Sequence, residues 1–262
     1  MRRVGHVKTR RGVSLDRALS KLGAASRTDA RALVVAGRVR VDGRVVTNPA
    51  AQVVPEIARI TVDGTVIERR PWRLIAFHKP RGVITTRRDP AGRSTIFDVL
   101  GAVGAGLIAV GRLDVASTGL LLLTNDTQLA NRLTDPRSGL TRRYVVTVRG
   151  RVDSDAARRL ERGIETPTSD RGAAQLRAVR VFVRKASGRE THLIVDLDEG
   201  KNREVRRLLA AVGHEVTHLH RVAFGPIALG RLPPGAWREV NRKELEPWSR
   251  PADRRGIDPG RV

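Results

Sequence analysis

The sequence predicts an α+β chain in two parts: a small N-terminal domain, then a larger domain whose mainly antiparallel, mixed sheet is flanked by helices. Three observations carry this expectation. Two short helical runs near the N-terminus are followed by two Val-Asp-Gly hairpin signals. Beyond Arg69-Arg70-Pro71, a natural linker, strand and helix patterns alternate as far as Trp248, mostly across short turns. Finally, 40% of the 262 residues are apolar, enough for a real core in one or two domains of roughly 150 residues each.

The elements follow in order. Residues 1–12 hold Arg2, Arg3, Lys8, Arg10 and Arg11 with little to pack, and read as a flexible basic arm. In residues 13–70, Ser14 can cap a helix whose Leu15, Ala18, Leu19 and Leu22 have helical spacing, and Gly23 stops it. Thr28 or its neighbour caps a second helix, with Ala32, Leu33, Val35 and Ala36 inside and Gly37 at its end. Short strands follow around the turns Asp42-Gly43 and Asp63-Gly64. In residues 71–248, strands are expected at Leu74–Phe77, Leu107–Val110, Leu120–Thr124, Tyr144–Arg149, Leu176–Arg184, Thr191–Leu197 and Val216–Val222. Helices are expected at Gln128–Leu133, Asp153–Glu161 and Asn202–Val212, and the Gly101–Gly106 run as a flexible loop. Residues 249–262 read as a basic tail.

Charge narrows the function. Lys and Arg total 50 against 27 acidic residues, a net charge of +23 that points to a polyanion, most often nucleic acid. Lysine occurs only at 8, 21, 79, 185, 201 and 243; the rest is arginine, suited to bidentate phosphate contacts and base stacking. Zero Cys excludes a disulfide scaffold, thiol catalysis and a cysteine zinc site, and fits the reducing cytoplasm. No apolar run approaches the roughly 20 residues that span a bilayer.

Several motifs bear on chemistry. His214-Glu215-Val216-Thr217-His218 matches H-E-x-x-H, but Gly213 has just ended a helix and the β-branched pair favours a strand. His214, His218 and His220 would then be strung along one strand face. Gly111-Arg112-Leu113-Asp114 forms a polar turn between two buried strands. Asp114 is placed there as a catalytic carboxylate or as a plain Asx turn. Tyr144, the single Tyr, either fills the core or stacks on a base. Lys201, Arg203, Arg206 and Arg207 crowd a helix start, where the macrodipole favours acids. Cations there imply an anion, a phosphate or a buried carboxylate, and Arg206 lies near the edge of the buried face. The basic residues Arg17, Lys21, Arg27, Arg31 and Arg38 of the N-terminal helices serve either as a phosphate-binding face or as an ordinary solvated one.

Taken in order, Phe77–Val83, Gly111–Asp114 with the Leu-rich Thr-Asn-Asp run, Arg143–Val146, Glu199–Leu208, and Leu219–Arg221 with Phe224–Ile227 resemble the pseudouridine synthases. Arg17–Thr47 resembles the S4 RNA-binding module of their small- and large-subunit ribosomal RNA branch, and the large-subunit rRNA synthases of the B type are nearest. The resemblance covers roughly residues 13–245. It implies a pseudouridine synthase fold, with Asp114 as catalytic aspartate, Tyr144 against the target base and Arg206 pairing with the aspartate. It also implies that Leu219 lines the pocket with Arg112 and Leu113. Lys79, Arg81, Lys201, Asn202, Arg203, Arg207 and Arg221 join the N-terminal cations as expected RNA contacts. The expected partner is ribosomal RNA, 23S by the nearest resemblance, acted on by a monomer without cofactor or metal, since no atom enters or leaves in the isomerisation. The departures from the pattern are Ser117-Thr118, Thr127 and Arg142.

Overall fold

A computed structural model of the chain describes residues 12–55, 57–68, 71–167 and 173–249. Apart from Gly12 and Ser249, the expected basic arm and tail lie outside the described residues. The chain divides into two compact units between Trp72 and Arg73.

The first unit begins with β1 (Val13–Ser14) and α1 (Leu15–Leu22). Leu15, Ala18, Leu19 and Leu22 are buried, and Gly23 ends α1 at φ 77°. Ser14 stands at the cap position, but its hydroxyl donates to the Asp16 carboxylate instead of accepting a helix N–H. The cap of α2 (Arg27–Val35) is Ser26, whose Oγ accepts from the Asp29 N–H. The buried face of α2 differs from the expected one. Ala30 and Val34, four apart, face the core, whereas Val35 is 62% exposed. Next come β2 (Val39–Val41), β3 (Arg44–Val45), β4 (Gln52–Val53), β5 (Ile60–Val62) and β6 (Thr65–Val66). Their main sheet runs β3-β2-β5-β6, and β1 pairs with β4. Both Asp-Gly turns have positive φ at both residues, 49° and 83° then 49° and 81°, the geometry that matches strand twist in tight hairpins.

The second unit is built on a large sheet. In chain order its elements are β7 (Leu74–Lys79), α3 (Ile96–Leu100), β8 (Ile108–Ala109), β9 (Thr118–Thr124), α4 (Thr127–Thr134), β10 (Arg142–Arg149) and α5 (Ser154–Arg162). They continue with β11 (Ile164–Pro167), β12 (Ala173–Leu176), β13 (Arg180–Ala186), β14 (Glu190–Leu197), α6 (Glu204–Ala211), β15 (Val216–Phe224), β16 (Ile227–Ala228), β17 (Trp237–Glu239) and α7 (Glu246–Ser249). The sheet order is β13-β14-β10-β15-β9-β7-β17, with β16 on β15 and β8 on β9. Every pairing in it is antiparallel except β15 with β9. One sheet face carries Phe77, Leu121, Val146, Val195 and Leu219 into a core shared with Leu160 of α5 and Val205 and Leu208 of α6.

Some elements depart from the sequence expectation. The expected strand Leu176–Arg184 is two strands, because the chain leaves the β11–β12 ribbon at Leu176 and enters the main sheet at Arg180. α3 is only five residues long and announces itself by its capping box, Thr95 with Asp98. The glycine run after it forms a 3-10 turn, Gly101–Gly104, where a loop was expected. α6 starts at Glu204, not Asn202, because Arg203 takes a left-handed φ of 50°.

The parallel seam between β9 and β15 is unusually close at Gly119, whose φ is +105°. A Cβ there would lie 2.3 Å from the Arg221 carbonyl oxygen. Gly119→Ala is therefore expected to force the strands apart and cost about 3 kcal/mol, or roughly 6–12 °C in Tm for a chain of this size. Thermal denaturation of the variant checks this.

Candidate active site

A cavity of about 360 Å³ opens in the second unit. Its walls include Asp114 and Arg112 from the β8–β9 connection, Tyr144 from β10, and Leu219 and Arg221 from β15. Leu113, Val205 and Phe224 contribute apolar surface.

The Asp114 loop is held by backbone hydrogen bonds from two sides. Within it, Ser117 N–H donates to the Asp114 carbonyl at 3.0 Å. From the turn after β7, Gly82 N–H donates to the Val115 carbonyl at 2.8 Å, and Thr85 Oγ1 to the Leu113 carbonyl at 2.9 Å. Underneath, the Lys79 ammonium donates to the carbonyls of Ser117 (2.9 Å) and Pro80 (3.1 Å). Lys79 is fully buried, which corrects its expected role as an RNA contact. Lys79 shares a face of β7 with Ile75 and Phe77, and both faces of that strand are buried in the sheet. Burial pushes its pKa down to about 8, partly offset by the nearby Asp114 charge.

Arg206 reaches inward from α6. Its Nε lies 3.8 Å from Asp114 Oδ2, and its Nη1 donates to the Val216 carbonyl at 3.0 Å. The pair is an ion pair by distance but not a hydrogen bond. Burial and the neighbouring Arg203 lower the Arg206 pKa, while Asp114 raises it. Tyr144 is 8% exposed, and Leu219, on the neighbouring strand, is buried as well.

Sequence reasoning passed over the pocket's buried charges. Arg142 donates from Nη1 to the carbonyls of Leu140 (2.8 Å) and Asp198 (2.7 Å) and from Nη2 to that of Leu133 (3.2 Å). Glu204, at the start of α6, accepts the Lys201 N–H at 3.0 Å, and burial raises its pKa to about 6. Its capping-box spacing from Lys201 was the available signal.

The other expected RNA contacts sort by exposure. Arg17, Arg27, Arg31, Arg38 and Arg81 are exposed, as are Lys201, Asn202 and Arg203 at the pocket rim; Lys21 is half-buried. Arg27 and Arg38 pair with Asp16 (3.6 Å) and Asp63. Arg207 is half-buried and donates to Thr166 Oγ1 at 2.6 Å. Arg221 is enclosed, with Nε on the Leu120 carbonyl at 2.7 Å, so it is not a surface handle for phosphates. His218 and His220 lie on β15, an extended strand, which removes the helical geometry that H-E-x-x-H requires. His220 accepts or donates through Nδ1 with Thr118 Oγ1 at 2.8 Å, and burial together with His78 and His218 lowers its pKa to about 4.

Glu204 supports a pH test. Its pKa rises from 4.5 unfolded to about 6 folded, so the folded state binds more protons in that window and stability falls as pH rises through it. Glu204→Gln keeps an acceptor for Lys201 without the buried charge. It is expected to be more stable than the parent at pH 7 by about 1–2 kcal/mol, the gain vanishing below about pH 4.5. Denaturant melts across pH 4–8 measure it.

Residues 73–211 match the family model for RNA pseudouridylate synthase, and residues 13–56 match the S4 domain. An RNA pseudouridine synthase of Aquifex aeolicus is 40% identical over 89% of this chain and 92% of that protein. The ribosomal large subunit pseudouridine synthase B of Escherichia coli K12 is 41% identical over 87% of this chain and 79% of that protein. A crystal structure of a pseudouridylate synthase, 24% identical, shares the fold with a TM-score of 0.61 over 90% of this chain and 99% of that one. With an S4 domain at its N-terminus and this sheet, the chain belongs to the RNA pseudouridylate synthase family.

Proposed function

We propose that this protein converts a uridine of ribosomal RNA, in the large subunit, to pseudouridine, with Asp114 as the catalytic carboxylate. The observation that carries the reading is the approach of Arg206 to Asp114, which lines a pocket walled also by Tyr144 and Leu219. The similarity to an Escherichia coli enzyme named for the ribosomal large subunit supports the RNA class.

The reaction breaks N1–C1′, turns the base and joins C5 to C1′. A carboxylate near the sugar serves as nucleophile or as charge stabiliser. The Asp114 carboxylate faces the guanidinium of Arg206 at 3.8 Å and lies close enough to Lys79 for the two charges to interact. The target uridine has to leave its stack, at a cost of about a few kcal/mol in a helix. Tyr144 offsets part of that by packing on the base. The family's S4 domain, proposed here to span 13–70, and the exposed cations Arg17, Arg31 and Arg81 supply affinity and orientation. The catalytic domain is proposed to span 71–248. The chain is proposed to act as a monomer without a cofactor.

Asp114→Asn is expected to reduce pseudouridine formation roughly 10³-fold or more while leaving RNA affinity nearly unchanged. Mapping pseudouridine in ribosomal RNA treated with each form decides it. A mutant map identical to the parent's would remove Asp114 from the chemistry, and a parent that modifies no ribosomal uridine would reject the substrate.

A further inference from the structure

Two guanidinium groups stand at the pocket wall without a carboxylate. Arg142 and Arg221 line the cavity and are 4% and 3% exposed. Their Cζ atoms lie 4.8 Å and 5.3 Å from the centroid of the same ring, that of Phe224. Arg143 and Arg206 have Asp196 and Asp114, but among the described residues neither Arg142 nor Arg221 forms an ion pair with a carboxylate. An arginine cannot escape this by losing its proton.

The two differ in what their donors do. Both terminal nitrogens of Arg142 are spent on carbonyls. Arg221 donates from Nε to Leu120, but its Nη2 is buried and has no acceptor. A buried, unsatisfied donor on a cation is costly in a resting chain. It makes sense where the ligand brings the acceptor.

Position says which acceptor. In the β10–β15 register Arg221 lies opposite Tyr144, and Leu219 follows on the same face two residues earlier. A ring packed against Tyr144 therefore lies in the same cavity that Arg221 lines. Phosphates stay with the chain at the rim, where Arg112 and Arg203 are exposed. When N1–C1′ breaks, the bonding pair leaves with the base, and its negative charge spreads over N1, O2 and O4. The sugar balances this in either of two ways: C1′ bonds to an Asp114 oxygen, or the C2′ proton passes to Asp114 as C1′=C2′ forms. In the first route C5 displaces the Asp114 oxygen from C1′; in the second C5 bonds to C1′ as C2′ regains its proton from Asp114. In both, the proton lost from C5 is matched by one gained at N1. A fixed donor aimed at the departing base would act as an oxyanion hole does.

We propose that Arg221 is a catalytic residue whose Nη2 donates to a carbonyl oxygen of the target uracil and stabilises the base as it departs as an anion. This rests on reading the pocket as a uridine site.

The test uses the full chain and unmodified ribosomal RNA transcripts under single turnover, with Kd and Tm measured alongside. Arg221→Gln is expected to slow pseudouridine formation about 100-fold with RNA affinity retained. A second transcript carries 5-fluorouridine, whose base is the more stable anion. On it, the defect in N1–C1′ cleavage should narrow. Arg221→Lys, which can keep the bond to Leu120 but has no second nitrogen, covers the case in which the Gln variant folds poorly, and should show the same narrowing. A variant as fast as the parent, or equal defects on both transcripts, overturns the proposal and leaves the functional reading standing. A parent inactive on ribosomal RNA overturns that reading itself.

Discussion

The close seam between β9 and β15 is the constraint on which the rest depends. It is the one parallel pairing in the large sheet, and it joins two antiparallel groups of strands, β17-β7-β9 on one side and β15-β10-β14-β13 on the other. Asp114 belongs to the loop that leads into β9, while Tyr144, Leu219 and Arg221 come from β10 and β15. The seam is what places them around one cavity. Gly119 makes it possible, since any side chain there would collide with the backbone of Arg221. The same glycine therefore serves both the packing of the sheet and the assembly of the cavity.

The pocket is also a collection of buried cations. Lys79, Arg142 and Arg221 sit buried in or near its walls with the half-buried Arg206 close by, and the acids that line it are Asp114, Glu199 and Glu204. Backbone carbonyls satisfy much of this charge: Ser117 and Pro80 for Lys79, Leu140, Asp198 and Leu133 for Arg142, Leu120 for Arg221, Val216 for Arg206. Carbonyl dipoles hold a cation in place without neutralising it, so the cavity retains a positive potential. On the proposed reading, an electron-rich nucleobase and the Asp114 carboxylate both gain from that field. The exposed arginines act differently, over longer range and with strong dependence on salt.

Much of the fold was legible because its signals are local. Gly23, the two Asp-Gly turns and the apolar run of β9 each dictate their own conformation within a few residues, and the structure has them where the spacing put them. Where competing local signals lie close together, sequence and structure part. Ser26 stands as the cap of α2 where Thr28 was expected, and residues 177–179 broke one expected strand into two. Asp114, Tyr144 and Leu219 line one cavity, with Arg206 3.8 Å from Asp114; the roles expected of them rested on ordered motifs whose resemblance to a family supplied what spacing left open.

By itself, the sequence determined that the chain is two α+β domains with a large positive charge, and which carboxylate stands on a short loop between buried strands. Burial of the cations was a different matter. Lys79 and Arg221 look like any other basic residues in a polyanion-binding chain, and only the tertiary structure turned them inward. The physical reason is that a charge's role depends on its desolvation and its partners. Those are set by strands far apart in sequence, such as β9 with β15 and β10 with β15, and not by the residues on either side.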